Sequence, residues 1–187
     1  MKYGELNLGQ IEAIVNKLGG MDGALRFLSG ETAVKTEDFF HEADEFTVRI
    51  PALPRPTLKA LQAKFSWVKS IERDTSPETA VTLRLGTILR PDEDRVNGTE
   101  YELRLVSVTG PLGYQQAEWL VAHQDAFPGL TALLGKVYID FPGLVVVRAF
   151  GCRFFPYLFR VGGRWDLRWP RVEDGFDRRG RVALSGR

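Results

Sequence analysis

Two histidines, one cysteine and a scatter of carboxylates are the residues of this chain that could do chemistry. His41 stands among Asp38, Glu42, Asp44 and Glu45, a set that could in principle ligate a divalent cation. One histidine with carboxylates is a weak zinc signal, and no metal is assigned to it. His123 falls in a helical pattern near Asp125 and reads as an ordinary helix histidine. Ser66 and Lys69 share the S-x-x-K spacing of penicillin-recognising enzymes, but they lie in strand-like "FSWVKS", away from any helix start and without companion motifs. Asp92, Glu93 and Asp94 do not continue into a calcium loop. Asn97-Gly98-Thr99 has the form of a glycosylation sequon and, with no secretory context, reads as a turn. Cys152 stands alone, which excludes an internal disulfide and a cysteine-based metal cage. No G-x-G-x-x-G, P-loop, G-x-S-x-G, H-E-x-x-H or C-x-x-C is present. No catalytic residue, cofactor or metal site is therefore assigned. Carboxylates gathered from distant strands could still form an active site without leaving a motif.

The remaining chemical signal is "FPYLFRVGGRWDLRWP", residues 155–170, which interleaves aromatics with arginines as a base-stacking surface would. Gly162-Gly163 between two aromatic runs predicts a hairpin. A two-residue loop sets Phe159 opposite Asp166 and Tyr157 opposite Arg168, mixing aromatics with charges on each face. A three-residue loop, Val161-Gly162-Gly163, sets Phe159 against Trp165, Tyr157 against Leu167 and Phe155 against Trp169. Burial favours the second, segregated register. The expectation is thus an aromatic core face and a separate outward row of Arg160, Arg164, Asp166 and Arg168, beside Leu158. With Arg178 and Arg179, those arginines are the candidate anion-binding residues.

The elements that must position these residues come from a chain of ordinary composition, 44% hydrophobic and 26% charged, with a net charge of +1. Its 187 residues are enough for one domain with a short appendage and for a core that needs no staples. The charge is unevenly placed. Residues 148–187 hold ten Arg, no Lys and four acids, a net +6, whereas the other 147 residues hold 15 bases and 20 acids, a net −5. Five of those acids fall in "EDFFHEADE", residues 37–45. Such asymmetry suits an anionic partner or a self-complementary surface. No apolar run reaches the length of a membrane span, so no membrane is expected. "MKYGELNLGQIEAIV" carries acids and no continuous apolar core, unlike a signal peptide; a cytoplasmic location is the expectation.

The fold class expected is α+β: an N-terminal helical hairpin, then a mixed domain ending in an antiparallel β-meander. Residues 1–30 hold the hairpin. Leu8, Ile11, Val15 and Leu18 share one helical face with Ile14 beside them. Gly19 and Gly20 supply a left-handed cap, and Asp22 caps a second helix bearing Ala24, Leu25, Phe27 and Leu28. Barely two turns long and carrying Gly23, that helix must pack on something. Residues 31–45 read as an acidic linker. In the domain at 46–187 the pattern predicts strands at 46–50, 66–72 and 79–89, a helix at 56–65, and a strand at 100–108 alternating Tyr101, Leu103 and Leu105. Asn97-Gly98 just before it is a hairpin-type turn signal. A helix at 114–127, a short helix at 130–135, and strands at 137–141, 144–149, 154–160, 165–169 and 181–184 follow.

Three segments, "IEAIVNKLGGMDGALRFLSGE", "EWLVAHQDAFPGLTALLGKVYIDFPG" and "GGRWDLRWPRVEDGFDRRGRVAL", resemble segments of uncharacterised bacterial proteins from environmental and candidate-lineage genomes. The resemblance covers over a third of the chain and implies a bacterial protein with no known activity. From the residues themselves the leading expectation is a non-enzymatic protein-binding module, docking a partner or a second copy through Leu18, Leu25, Phe27 and Leu28 of residues 6–30. A helix-turn-helix reading fails because Arg26 alone could meet base edges. The second expectation is a nucleic-acid-associated accessory protein using the C-terminal arginines. The third is an enzyme with a dispersed carboxylate site.

Overall fold

The computed structural model describes residues 8–30, 40–44 and 47–186. The chain divides into two compact units, Met1–Glu37 and Asp38–Arg187. Among the described residues no helix is long and apolar enough to cross a membrane.

The first unit is the helical hairpin of α1 (Leu8–Lys17) and α2 (Gly20–Leu28). Gly19 and Gly20 take positive φ, 91° and 82°, as the turn demands. Asp22 lies in the first turn of α2 and caps nothing; the cap position belongs to Gly19. Gly23 has a packing reason: a Cβ there would stand 1.6 Å from the Leu18 carbonyl oxygen. It lets the end of one helix touch the start of the next.

The second unit is α+β and mostly antiparallel. In chain order it contains β1 (His41–Asp44), β2 (Arg49–Ile50), α3 (Leu58–Lys64), β3 (Val68–Asp74), β4 (Val81–Thr87), β5 (Arg95–Val96), α4 (Gly98–Leu105), α5 (Tyr114–His123), α6 (Pro128–Ala132), β6 (Tyr138–Asp140), β7 (Leu144–Arg148), β8 (Arg153–Phe154), β9 (Tyr157–Val161), β10 (Arg164–Arg168), β11 (Phe176–Asp177) and β12 (Gly180–Gly186). The main sheet runs β1-β4-β12-β6-β9-β10, with β2 also on β4; β3-β7-β8 and β5-β11 form smaller sheets. The closing strand leaves the meander order, running between β4 and β6 and pairing parallel with β6.

Alternation along the main strands sends their side chains to two cores. Leu83, Leu85, Ile139, Leu158, Trp165 and Ala183 point to one side, against Leu120 of α5 and Leu130 of α6. Val182 and Leu184 point to the other, where Tyr101 of α4, Phe155 and Phe176 form the cover. A third cluster joins α3 to β3, β7 and β8 around Leu61, Val68 and Val146.

Three expectations change. Residues 98–105 are a helix rather than a strand. The Asn97 side chain accepts the Glu100 N–H at 2.9 Å, so Asn97-Gly98 starts a helix instead of turning a hairpin. The helix buries Tyr101 and Arg104, one turn apart, and leaves Leu103 exposed. The β9–β10 hairpin has the two-residue loop: Arg164 pairs with Val161, Asp166 with Phe159 and Arg168 with Tyr157. Gly162 and Gly163 both take positive φ, 56° and 86°, the mirror-image turn whose twist matches the strands. That local preference overrides the segregation of faces. Trp165 and Leu167 do point inward, but opposite Arg160 and Leu158. Finally, the acidic stretch is not wholly linker. Residues 31–39, 45 and 46 lie outside the described residues, yet His41–Asp44 pairs with β4, and Glu42 bonds Arg84 at 3.0 Å.

Candidate functional site

The sequence-derived docking residues sit together on the hairpin. Leu25 is 56% exposed and Leu28 78%; Phe27, Met21, Ile11 and Ile14 are also exposed, and Leu18 is half-buried. Only Gly23 and Ala24 of α2 are buried. Among the described residues of these two helices, of ten and nine residues, Ala24 is the one buried apolar side chain, and the larger ones are partly exposed or more open.

The five arginines are not one row. Arg164 and Arg168 share the second face of the β9–β10 hairpin with Tyr157 and Phe159, so aromatics and arginines are mixed there. Arg160 points to the other face, beside Gly135. Three of the five already hold carboxylates: Arg164 with Asp125 at 2.8 Å, Arg168 with Asp166 at 2.7 Å, and Arg178 with Asp94 at 2.7 Å. Arg179 follows Arg178 in the β11–β12 turn. Of the proposed cation ligands, Asp38 and Glu45 lie outside the described residues. Among the described residues, no three His, Cys, Asp or Glu converge as a metal site. His123 stacks on Trp119, and its Nδ1 lies 2.8 Å from the Trp119 carbonyl oxygen.

A site that the sequence did not single out lies on the covered side of the main sheet. Strand β6 points Asp140 into that core, where it is 1% exposed. Its Oδ2 accepts the Tyr101 hydroxyl at 3.0 Å; its Oδ1 is buried with no partner among the described residues. Burial pushes the Asp140 carboxyl well above the usual carboxylate range, helped by the charge of Asp177, while the Tyr101 hydrogen bond pulls the other way. Burial therefore favours its protonated form. Asp140 lines a cavity of about 190 Å³, together with Tyr138, Tyr157, Arg95, Asp174 and Asp177. The Tyr138 hydroxyl accepts the Asp177 N–H at 3.0 Å, and Arg95 donates to the Asp174 carbonyl. Burial also raises Tyr138 and Tyr157, with Asp140 adding to both shifts. The one sequence signal was an acid between Ile139 and Phe141 in an apolar strand.

The other buried charge of this cover is satisfied. Arg104, 2% exposed, donates to Glu93 at 2.7 Å, Glu100 at 2.7 Å and the Ile88 carbonyl at 2.9 Å. The Arg104 guanidinium, seconded by the Arg90 N–H, lowers Glu93 to about 2. A larger cleft of about 400 Å³ beside Arg73 and Glu102 is lined by none of the buried, unpartnered polar atoms among the described residues.

Compared with protein-family models, with curated proteins and with solved structures, the chain matches none.

Proposed function

We propose that this protein is a non-enzymatic interaction module whose N-terminal hairpin docks a protein partner. The observation that carries this reading is the exposed apolar surface of α1 and α2. Helices of this length are marginal on their own in water, below the roughly 12–15 residues at which isolated helices become stable. The hairpin leaves Leu25 and Leu28 more than half exposed. A partner surface covering Leu25, Phe27 and Leu28 supplies the missing contacts, and aromatic and aliphatic anchors of this kind carry the energy of most interfaces. A role on nucleic acid has less behind it, because Arg164, Arg168 and Arg178 spend their charge on neighbouring carboxylates.

The test is co-purification with the full chain and with a Leu25→Glu, Leu28→Glu variant, which keeps helix-forming side chains and removes the apolar face. The variant loses a protein that the wild-type chain retains, and sedimentation tells a second copy from a different protein. Equal recovery by both chains overturns the reading. A chain starting at Asp38 keeps β1 and should melt cooperatively by itself, with the partner gone; loss of cooperative melting would make the hairpin part of the core.

A further inference from the structure

We propose that the cavity at Asp140 binds a small organic cation, an alkylammonium or guanidinium group that forms an ion pair with the unpartnered Oδ1. A buried polar atom left without a partner costs free energy, because it gives up its hydration for nothing in return. Oδ1 of Asp140 carries that cost on a residue that lines a cavity. A ligand that bonds to it recovers the loss.

The charges around the cavity select the ligand's sign. Asp140, Asp174 and Asp177 line it against one cation, Arg95, whose guanidinium donates to the Asp174 carbonyl. Arg73 acts on the Tyr101 side and Arg168 on the Tyr157 side, both more weakly than the carboxylate and burial influences there. An anion would face the carboxyl groups of Asp174 and Asp177. A cation would face them across the Tyr138 and Tyr157 rings, set edge to face with centroids 6.0 Å apart, and aromatic faces attract cations. An inorganic ion fits less well, because no set of three ligating side chains converges among the described residues. The volume of about 190 Å³ takes roughly six groups of water size, at about 30 Å³ each. That suits an ammonium with a short alkyl stem.

Binding moves a proton. Burial favours the protonated form of Asp140, so an entering cation that pairs with its carboxylate favours release of that proton to solvent. Affinity rises with pH until the amine itself deprotonates.

Calorimetry on the full chain near neutral pH tests this with n-butylammonium, guanidinium and, as an opposite charge, butyrate, each in two buffers of different ionisation enthalpy. The cations bind saturably with close to one proton released, and butyrate does not bind. Asp140→Asn binds roughly tenfold or more weakly, as loss of a charge-assisted bond implies, and releases no proton. Asp177→Asn, at the rim, weakens binding several-fold and keeps the proton release. A short lysine-bearing peptide binding more tightly than butylammonium identifies a polypeptide source for the cation; weaker binding identifies a free amine. Butyrate binding, cation binding without proton release, or no saturation up to about 100 mM cation would overturn the proposal. If Asp140→Asn does not fold, unchanged affinity in Asp177→Asn overturns it equally.

Discussion

Helix α4 delivers two donors to two carboxylates, one turn apart, and the carboxylates shift in opposite directions. Arg104 meets Glu93 with a guanidinium, and Glu93 is held ionised down to a pH of about 2. Tyr101 meets Asp140 with a phenol, and burial raises the Asp140 carboxyl well above its ordinary value. A charged donor compensates for lost hydration; a single neutral donor does not. The first carboxylate is saturated and can do nothing but hold the cover on the sheet. The second keeps one oxygen and a cavity. A depressed carboxylate stabilises the fold above its ordinary value of 4.5, and that contribution fades as pH falls toward about 2. A raised one works the other way: its contribution is complete below the ordinary 3.8 and is lost as pH climbs through its elevated value.

The comparison breaks first at Arg104. Arg104→Met keeps volume and leaves Glu93 with its Arg90 contacts, and it should cost about 1–3 kcal/mol in denaturant unfolding. The acid transition should also move to higher pH as Glu93 returns toward its ordinary value. A loss under about 1 kcal/mol would show that the network holds nothing. Tyr101→Phe removes the only donor to Asp140 among the described residues and should cost about 1–3 kcal/mol. Asp140→Asn sharpens the contrast, because the unfolded chain no longer gains an ionised carboxylate. It should raise the melting temperature at neutral pH, with the gain vanishing below about pH 4. Equal gains at both pH values would mean that Asp140 is ionised in the fold. Arg164→Ala is the small effect: its pair with Asp125 is exposed on both sides, so the denaturant midpoint should not move measurably.

Both donors were hidden from the sequence by one misreading. "EYELRLV" alternates like a strand, but Tyr101, Arg104 and Leu105 share a helical face equally well, and the Asn97 side chain decides between them. Alternation is a sound guide only where no cap competes, as in β4, where Val81, Leu83 and Leu85 are all buried as expected. Helices α3 and α5 were legible for the converse reason, with periodic apolar residues bounded by proline. The hairpin at Gly162-Gly163 was visible, but its register was not, because turn geometry outweighed the segregation of faces. Asp140 was visible only as an acid in an apolar strand. Its meaning depends on Tyr101, 39 residues away in sequence. The exposed apolar face of α1 and α2 was legible because amphipathic periodicity without a second apolar layer is a local property.

The central place of β12 has a consequence for how the protein is made. Residues 180–186 complete the hydrogen bonding of both β4 and β6, and no earlier strand among the described residues stands between those two. On the ribosome, at roughly 5–20 residues per second, the main sheet therefore stays in two halves with open edges until this segment emerges. Such edges are templates for wrong pairing. Nascent chains halted before residue 180 should be trapped by chaperones or aggregate, and the fold should close in one late step.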